Sequence, residues 1–156
     1  MPNIQDHMNI RGRIDYVLRD EHGNVKQEGT VHNTITVLHD CLVADRLCGG
    51  TDTLISFAHA GTGTGGTSAN TNLVTPCAGA RTAITSLTQG AGGDDNDAII
   101  VFTFGAGVCT ATSLTEIGLL QTIAGADLQC YDDTILIKKG AGDTLTVTWT
   151  ITYGAS

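Results

Sequence analysis

The last stretch of the chain alternates without a break. Residues 143–153 read DTLTVTWTITY, with Leu145, Val147, Trp149, Ile151 and Tyr153 at one parity and threonines 144, 146, 148, 150 and 152 at the other. Side chains point to opposite faces along a strand, so this spacing predicts a β-strand with an apolar inner face and a hydroxyl-lined outer face. At about 2 kcal/mol for each fully buried apolar side chain, the inner face contributes about 10 kcal/mol gross, an upper bound because unfolded chains already bury some surface.

Earlier segments carry shorter versions of the same signal. Residues 98–105 (AIIVFTFG) are a continuous apolar run of strand length, and residues 81–88 are its expected mate across the Gly- and Asp-rich turn at 90–96. Residues 128–139 predict one or two strands with Ile135 and Ile137 inward, and Gly140-Ala141-Gly142-Asp143 then turns the chain, hairpin-like, into the final strand. Residues 114–122 and 54–60 predict two further short strands. Near the N-terminus, residues 10–19 place Ile14, Tyr16 and Leu18 on one face, and residues 25–31 return antiparallel across a turn at 20–24. One helix is expected over about residues 35–48, capped by Asn33 or Thr34 and stopped by Gly49-Gly50. Its apolar stripe is Ile35, Leu38, Leu42 and then Asp45 or Leu47. Many short strands with Gly-rich turns predict a mainly β fold: an antiparallel β-sandwich or jelly-roll-like barrel with one α-helix near residues 35–48. The domain organisation is a polar N-terminal arm, residues 1–9, followed by a single β-rich domain, residues 10–156.

Composition narrows the function classes. Only 15% of the 156 residues are charged, and Thr, Ser, Asn and 20 glycines take their place. A neutral, Thr-coated surface suits a subunit that packs against copies of itself. The net charge is −8, and the densest basic sets are Arg11 with Arg13 and Lys138 with Lys139. Phosphate neutralisation needs clustered cations, so direct nucleic-acid binding is not expected. No apolar run approaches the ~20 residues of a membrane span. The polar N-terminus lacks a signal-peptide core, which predicts synthesis in a cytoplasm and no membrane partner.

Candidate chemistry is sparse. Cys41, Cys48, Cys77, Cys109 and Cys130 contain no CxxC pair and are expected to be small buried hydrophobes; Cys41 and Cys48, ~10 Å apart along the helix, cannot bridge each other. An odd count leaves at least one thiol for a neighbouring subunit if the molecule is oxidised. Residues 61–66 (GTGTGG) satisfy GxGxxG, but the following TSANTN is a poor helix and no acidic residue stands about 20 positions on, so the segment reads as a surface loop. Asp94-Asp95-Asn96-Asp97 gathers oxygen ligands without EF-hand spacing and reads as an acidic turn. His7, His22, His32, His39 and His59 include no HExxH pair, and no GxSxG elbow is present. The threonine ladder alone does not make an ice-binding surface, which needs many stacked strands; β-propensity explains it. No catalytic, cofactor-binding or metal-binding residue is therefore expected: the chain is not read as an enzyme and no cofactor is assigned.

Several short signals follow one another in order. They are His32-Asn33 before a helix; Ile55-Ser56-Phe57-Ala58-His59-Ala60-Gly61-Thr62-Gly63; Asn70-Thr71-Asn72-Leu73; Arg81; Leu114-Thr115-Glu116-Ile117-Gly118-Leu119-Leu120; and the final strand from Leu145 to Tyr153. In this order they resemble small virion structural proteins of tailed bacteriophages. Where that group carries a carboxylate after the leucine of the Thr/Asn-rich segment, this chain has Val74-Thr75-Pro76-Cys77, a departure at the residue that would pair with Arg81. The resemblance implies a β-sandwich-like domain in the virion, most simply a capsid decoration or cement protein bridging capsid subunits. The alternative is a tail, collar or fibre-attachment component that binds the host. Implied partners are copies of itself, as in a trimer, and the major capsid protein or other virion proteins.

Overall fold

A computed structural model describes residues 8–94 and 96–155. Twelve strands and one helix follow in order: β1 (Met8–Arg19), β2 (Val25–His32), β3 (Thr34–Ile35), α1 (Val37–Leu47), β4 (Phe57–Gly61), β5 (Thr82–Ala83), β6 (Ser86–Gln89), β7 (Asp97–Phe104), β8 (Ala111–Leu114), β9 (Glu116–Leu120), β10 (Leu128–Asp132), β11 (Ile137–Lys139) and β12 (Thr144–Ala155). One five-stranded sheet runs β2-β1-β12-β7-β6, a second runs β3-β10-β9-β4-β5, and β11-β8 form a two-stranded ladder. All the pairings are antiparallel. The chain is mainly β with a single helix, consistent with a β-sandwich.

The final strand lies at the centre of the first sheet. Its residues pair with β1 from Met8↔Ala155 to Arg19↔Thr144 and with β7 from Leu145↔Phe104 to Thr152↔Asp97. Leu145, Val147, Trp149 and Ile151 are fully buried against Ile14, Leu18, Ile100, Phe102 and Phe104. Phe102 and Phe104 meet edge to face, with ring centroids 5.4 Å apart. The threonines look outward, and Thr103 and Thr146 share a hydroxyl contact of 3.1 Å across the pair. Trp149 completes its burial with one polar bond: its Nε1–H donates to Asn33 Oδ1 at 2.9 Å, joining the segment before the helix to the centre of the sheet.

Several expectations are corrected. Strand β1 begins at Met8, so Met8 and Asn9 belong to the sheet rather than to a polar arm; the rest of the arm lies outside the described residues. The 140–143 turn does reverse the chain, but β11 and β12 do not pair. Both edges of β12 are occupied by β1 and β7, so β11 pairs with β8 instead. Only the second half of residues 81–88 pairs with β7: β6 does so, whereas β5 joins β4 in the other sheet. The helix starts at Val37 with Thr36 as its N-cap residue, not Asn33 or Thr34. Thr36 makes no cap bond; its hydroxyl is turned to the carbonyl oxygens of Leu128 (2.6 Å) and Gln129 (2.9 Å), tying the helix entry to β10. Buried His39, not Leu47, completes the helix's inner stripe with Leu42, and Leu47 is 80% exposed. Cys41 and Cys48 are exposed on the helix and its end, contrary to a buried role; Cys77 is half-buried, and Cys109 and Cys130 are buried.

Candidate interaction surface

The first sheet ends differently at its two edges. Strand β2 carries Lys26, Glu28 and His32, and its side chains are engaged: Lys26 Nζ donates to Asp143 at 2.6 Å and Gln27 Nε2 to the Leu136 carbonyl at 2.6 Å. Charges along an edge oppose pairing with another chain. Strand β6, the opposite edge, reads Ser86-Leu87-Thr88-Gln89 and carries no charge. Leu87 stands opposite Ile100 in the register and so points to the inner side of the sheet, yet it is 39% exposed. The cover that protects Ile100 stops short of it.

Ile100 and the helix line the same groove. Between α1 and the β6–β7 end of the sheet lies a groove of about 330 Å³, floored by Leu42, Ile100 and Ile151 and rimmed by Leu47, Leu54 and Leu87. Of the eight large apolar residues exposed among the described residues, these three share one groove, while the other five line no part of it. A shared concave apolar patch marks an interaction site, whereas scattered apolar residues do not. The rim is shaped by the helix terminus: Asp52 donates its N–H to Asp45 at 3.0 Å, and Arg46 donates to the carbonyls of Gly50 and Asp52, holding the loop that presents Leu54.

The polar end of the groove is a neutral pair. His39 Nε2 and Tyr153 Oη lie 2.8 Å apart with the rings stacked, and His39 Nδ1 is buried without a hydrogen-bond partner. Burial pulls the His39 pKa below the ordinary imidazole value, against a weaker pull from Asp40, and pushes the Tyr153 hydroxyl up to about 12. The His39–Tyr153 end of the groove is therefore uncharged at neutral pH, and the one charged residue in its lining is Arg46.

The other singled-out motifs have structural duties. Glu116 is fully buried, and its carboxylate accepts backbone N–H bonds from Gly63 (3.1 Å), Val74 (2.8 Å) and Thr75 (2.6 Å). The Gly-Thr loop is thus folded onto an internal carboxyl group, and the Gly63 amide that a phosphate would use is already taken. A Cβ at Gly63 would come within 2.6 Å of Glu116 Oε1 and Val74 Cβ, so this glycine serves close packing. In the same strand, a Cβ at Gly118 would meet Leu128 at 2.6 Å and Leu73 at 2.9 Å. The Glu-Ile-Gly-Leu run therefore anchors the loop with its carboxylate and seats Leu73 over its glycine. Arg81 finds its acidic partner at Asp127 (2.6 Å) rather than after Leu73, and also donates to the carbonyls of Thr122 and Gly125.

The acidic turn and the histidines do not converge. Asn96 is committed to β12, donating to the Tyr153 carbonyl at 2.7 Å, and Asp95 lies outside the described residues. His22 sits exposed beside Glu21, His32 faces the Gly12 carbonyl, His39 faces Tyr153 and His59 is buried in β4; His7 lies outside the described residues. Among the described residues no group of three or more His, Cys, Asp or Glu side chains is arranged to hold a metal ion. The groove is not legible in the sequence because its residues come from five separate segments, and Leu47 on its rim falls at a position that the helix stripe can turn inward.

No protein-family model matches the chain, and no curated protein or solved structure matches it.

Proposed function

We propose that this chain is a structural subunit of a tailed-phage particle, a head decoration or cement protein that binds neighbouring subunits through the β6 edge and the groove beside it. The observation that carries the reading is the uncharged edge strand that exposes Leu87 beside Leu47 and Leu54, on a molecule whose net charge is −8. An open edge offers backbone hydrogen bonds to an added strand, and the adjacent pockets select its alternate side chains. The partner is another virion subunit, a second copy or the major capsid protein. The ordered signals that resemble phage virion proteins support the same reading, and two pairs of them touch in space: Asn33 with Trp149, and Gly63 with Glu116.

Quantitative mass spectrometry of purified particles tests the proposal. A copy number comparable with the major capsid protein is expected. A handful of copies per particle moves the chain to the tail, collar or fibre attachment, and absence from particles overturns the virion role.

A further inference from the structure

The register of β6 fixes which of its backbone groups face the open edge. Gly90 donates its N–H to the Asp97 carbonyl at 2.9 Å, and the pairs continue through Gln89↔Ala98, Thr88↔Ile99, Leu87↔Ile100 and Ser86↔Val101. Opposed residues of an antiparallel ladder alternate between pairs that exchange hydrogen bonds and pairs that do not. Counted from Gly90, Thr88 and Ser86 bond to β7, whereas Leu87 turns its N–H and C=O away from β7, to the side where the sheet has no further strand. Thr85 donates, at 2.7 Å, to the same Val101 that stands opposite Ser86, a bulge at which the ladder ends. Leu87 is therefore the centre of a short accessible edge: Leu87, Thr88 and Gln89 are all exposed, and the Leu87 side chain lies on the rim of the groove.

Resting on the reading of β6 as the edge where the chain meets its neighbours, the geometry points to a second copy of this chain as the partner there. Two β6 strands add antiparallel about a two-fold axis at Leu87, joining the β12-centred sheets of both molecules into one. The Leu87 N–H donates to the carbonyl of Leu87 of the partner subunit and the Leu87 carbonyl accepts the reciprocal bond, so the edge is its own complement, as an isologous contact requires. The two leucine side chains stand opposite each other on the groove side, next to the rim that Leu47 and Leu54 form. Charge permits the approach. No residue of β6 is charged, so two molecules of net charge −8 meet without like charges across the ladder. The antiparallel order also sets the two acidic turns, residues 90–97, at opposite ends of the contact. Four residues a side fall well short of the ~800 Å² per partner of a standard interface, so the pair is weak in dilute solution and forms where copies are held close together.

Disulfide trapping in a C41S/C48S background, which removes the two exposed thiols, tests the contact. L87C places two thiols across a hydrogen-bonded antiparallel pair with Cα atoms about 5.5 Å apart, within disulfide reach. T88C lies on the same strand but stands opposite Ser86 of the partner subunit, and its own twin is a diagonal neighbour roughly 7–8 Å away, out of reach. With oxidised glutathione, L87C is expected to form a linked dimer on the order of tenfold faster than T88C, reversed by dithiothreitol. Equal rates in the two variants, or an L87C protein that stays monomeric, overturn the inference. A monomer that is nevertheless abundant in purified particles overturns the two-fold pairing alone and leaves the virion reading standing. Selective L87C trapping in a chain absent from particles sustains the pairing and overturns the virion reading.

Discussion

The two large sheets are held together by different means. The sheet centred on β12 has two strands of 12 residues and one alternating apolar face, and its outer side is polar. The sheet centred on β9 has strands of two to five residues, and β9 and β10 are buried at every position. The core fills its inner side, while Leu73 packs on the outer side with Leu120, Leu128 and Tyr131. Strands so short supply few ladder bonds, and buried side chains supply the rest: Glu116 holds the 62–76 loop, Thr36 ties the helix entry to β10, and Asp132 accepts the N–H groups of Thr134 and Ile135. The first sheet depends on apolar area and the second on satisfied polar groups. They should fail under different perturbations.

The largest loss is expected in the first sheet. Trp149→Ala removes a fully buried indole and leaves Asn33 Oδ1 without its donor, costing about 3–5 kcal/mol. Urea unfolding followed by circular dichroism measures it; a loss well under 1 kcal/mol would mean the sheet does not depend on its apolar face. In the second sheet, Glu116→Ala leaves three amides without an acceptor and is expected to cost roughly 3 kcal/mol. Glu116→Gln keeps the shape but places an amide nitrogen among donors, so it should restore only part of the loss. Faster proteolytic cutting within residues 62–76 of the Ala variant would locate the damage in the loop.

Acid has a smaller effect. His39 and His59 are both lowered from the ordinary 6.5, chiefly by burial and, for His59, by the Arg81 charge as well. Unfolded histidine takes up a proton near 6.5 and the folded form resists it, so their contribution is present above 6.5 and is lost as pH falls below it. Asp132 acts oppositely: burial raises it above 3.8, so its contribution is present below 3.8 and is lost as pH rises through the folded value. Beside the first sheet, Asp143 is lowered by Lys26 and the Gly140 amide, and Asp20 by Asn24, so their contribution is lost only as pH falls through folded values below 3.8. Thermal midpoints should therefore drop first between neutral pH and about 5, and the His39→Gln/His59→Gln double variant should flatten that step. An unchanged step in the double variant would place the acid response elsewhere.

The same contrast explains what the sequence made legible. Period-two spacing marks β12 and β1, because one face of their sheet meets solvent, while β7 is marked by a continuous apolar run and β2 by the turn that precedes it. It could not order β9 and β10, where every side chain is buried and no parity stands out. In the sequence Glu116 is one residue of a short predicted strand; only the folded loop shows its three amide partners. The predicted helix stripe of Ile35, Leu38 and Leu42 leaves His39 out, and the groove it lines exists only once α1 lies beside the β7 end of the sheet.

The smallest effect on the folded monomer carries the largest consequence for assembly. Leu87→Lys puts a charge at a 39% exposed edge position and should change monomer stability by less than about 0.5 kcal/mol. Val25→Lys does the equivalent on β2, at a 48% exposed site, with an equally small expected cost. If copies or capsid subunits add to the sheet at β6, Leu87→Lys abolishes binding, because a lysine there must be desolvated beside the groove and opposes strand pairing. Val25→Lys leaves binding intact, since the β2 edge is already charged. Analytical ultracentrifugation of each variant, and binding to particles lacking this subunit, read the difference. Equal loss in both variants, or none in Leu87→Lys, would mean that the uncharged edge is not where the molecule meets its neighbours.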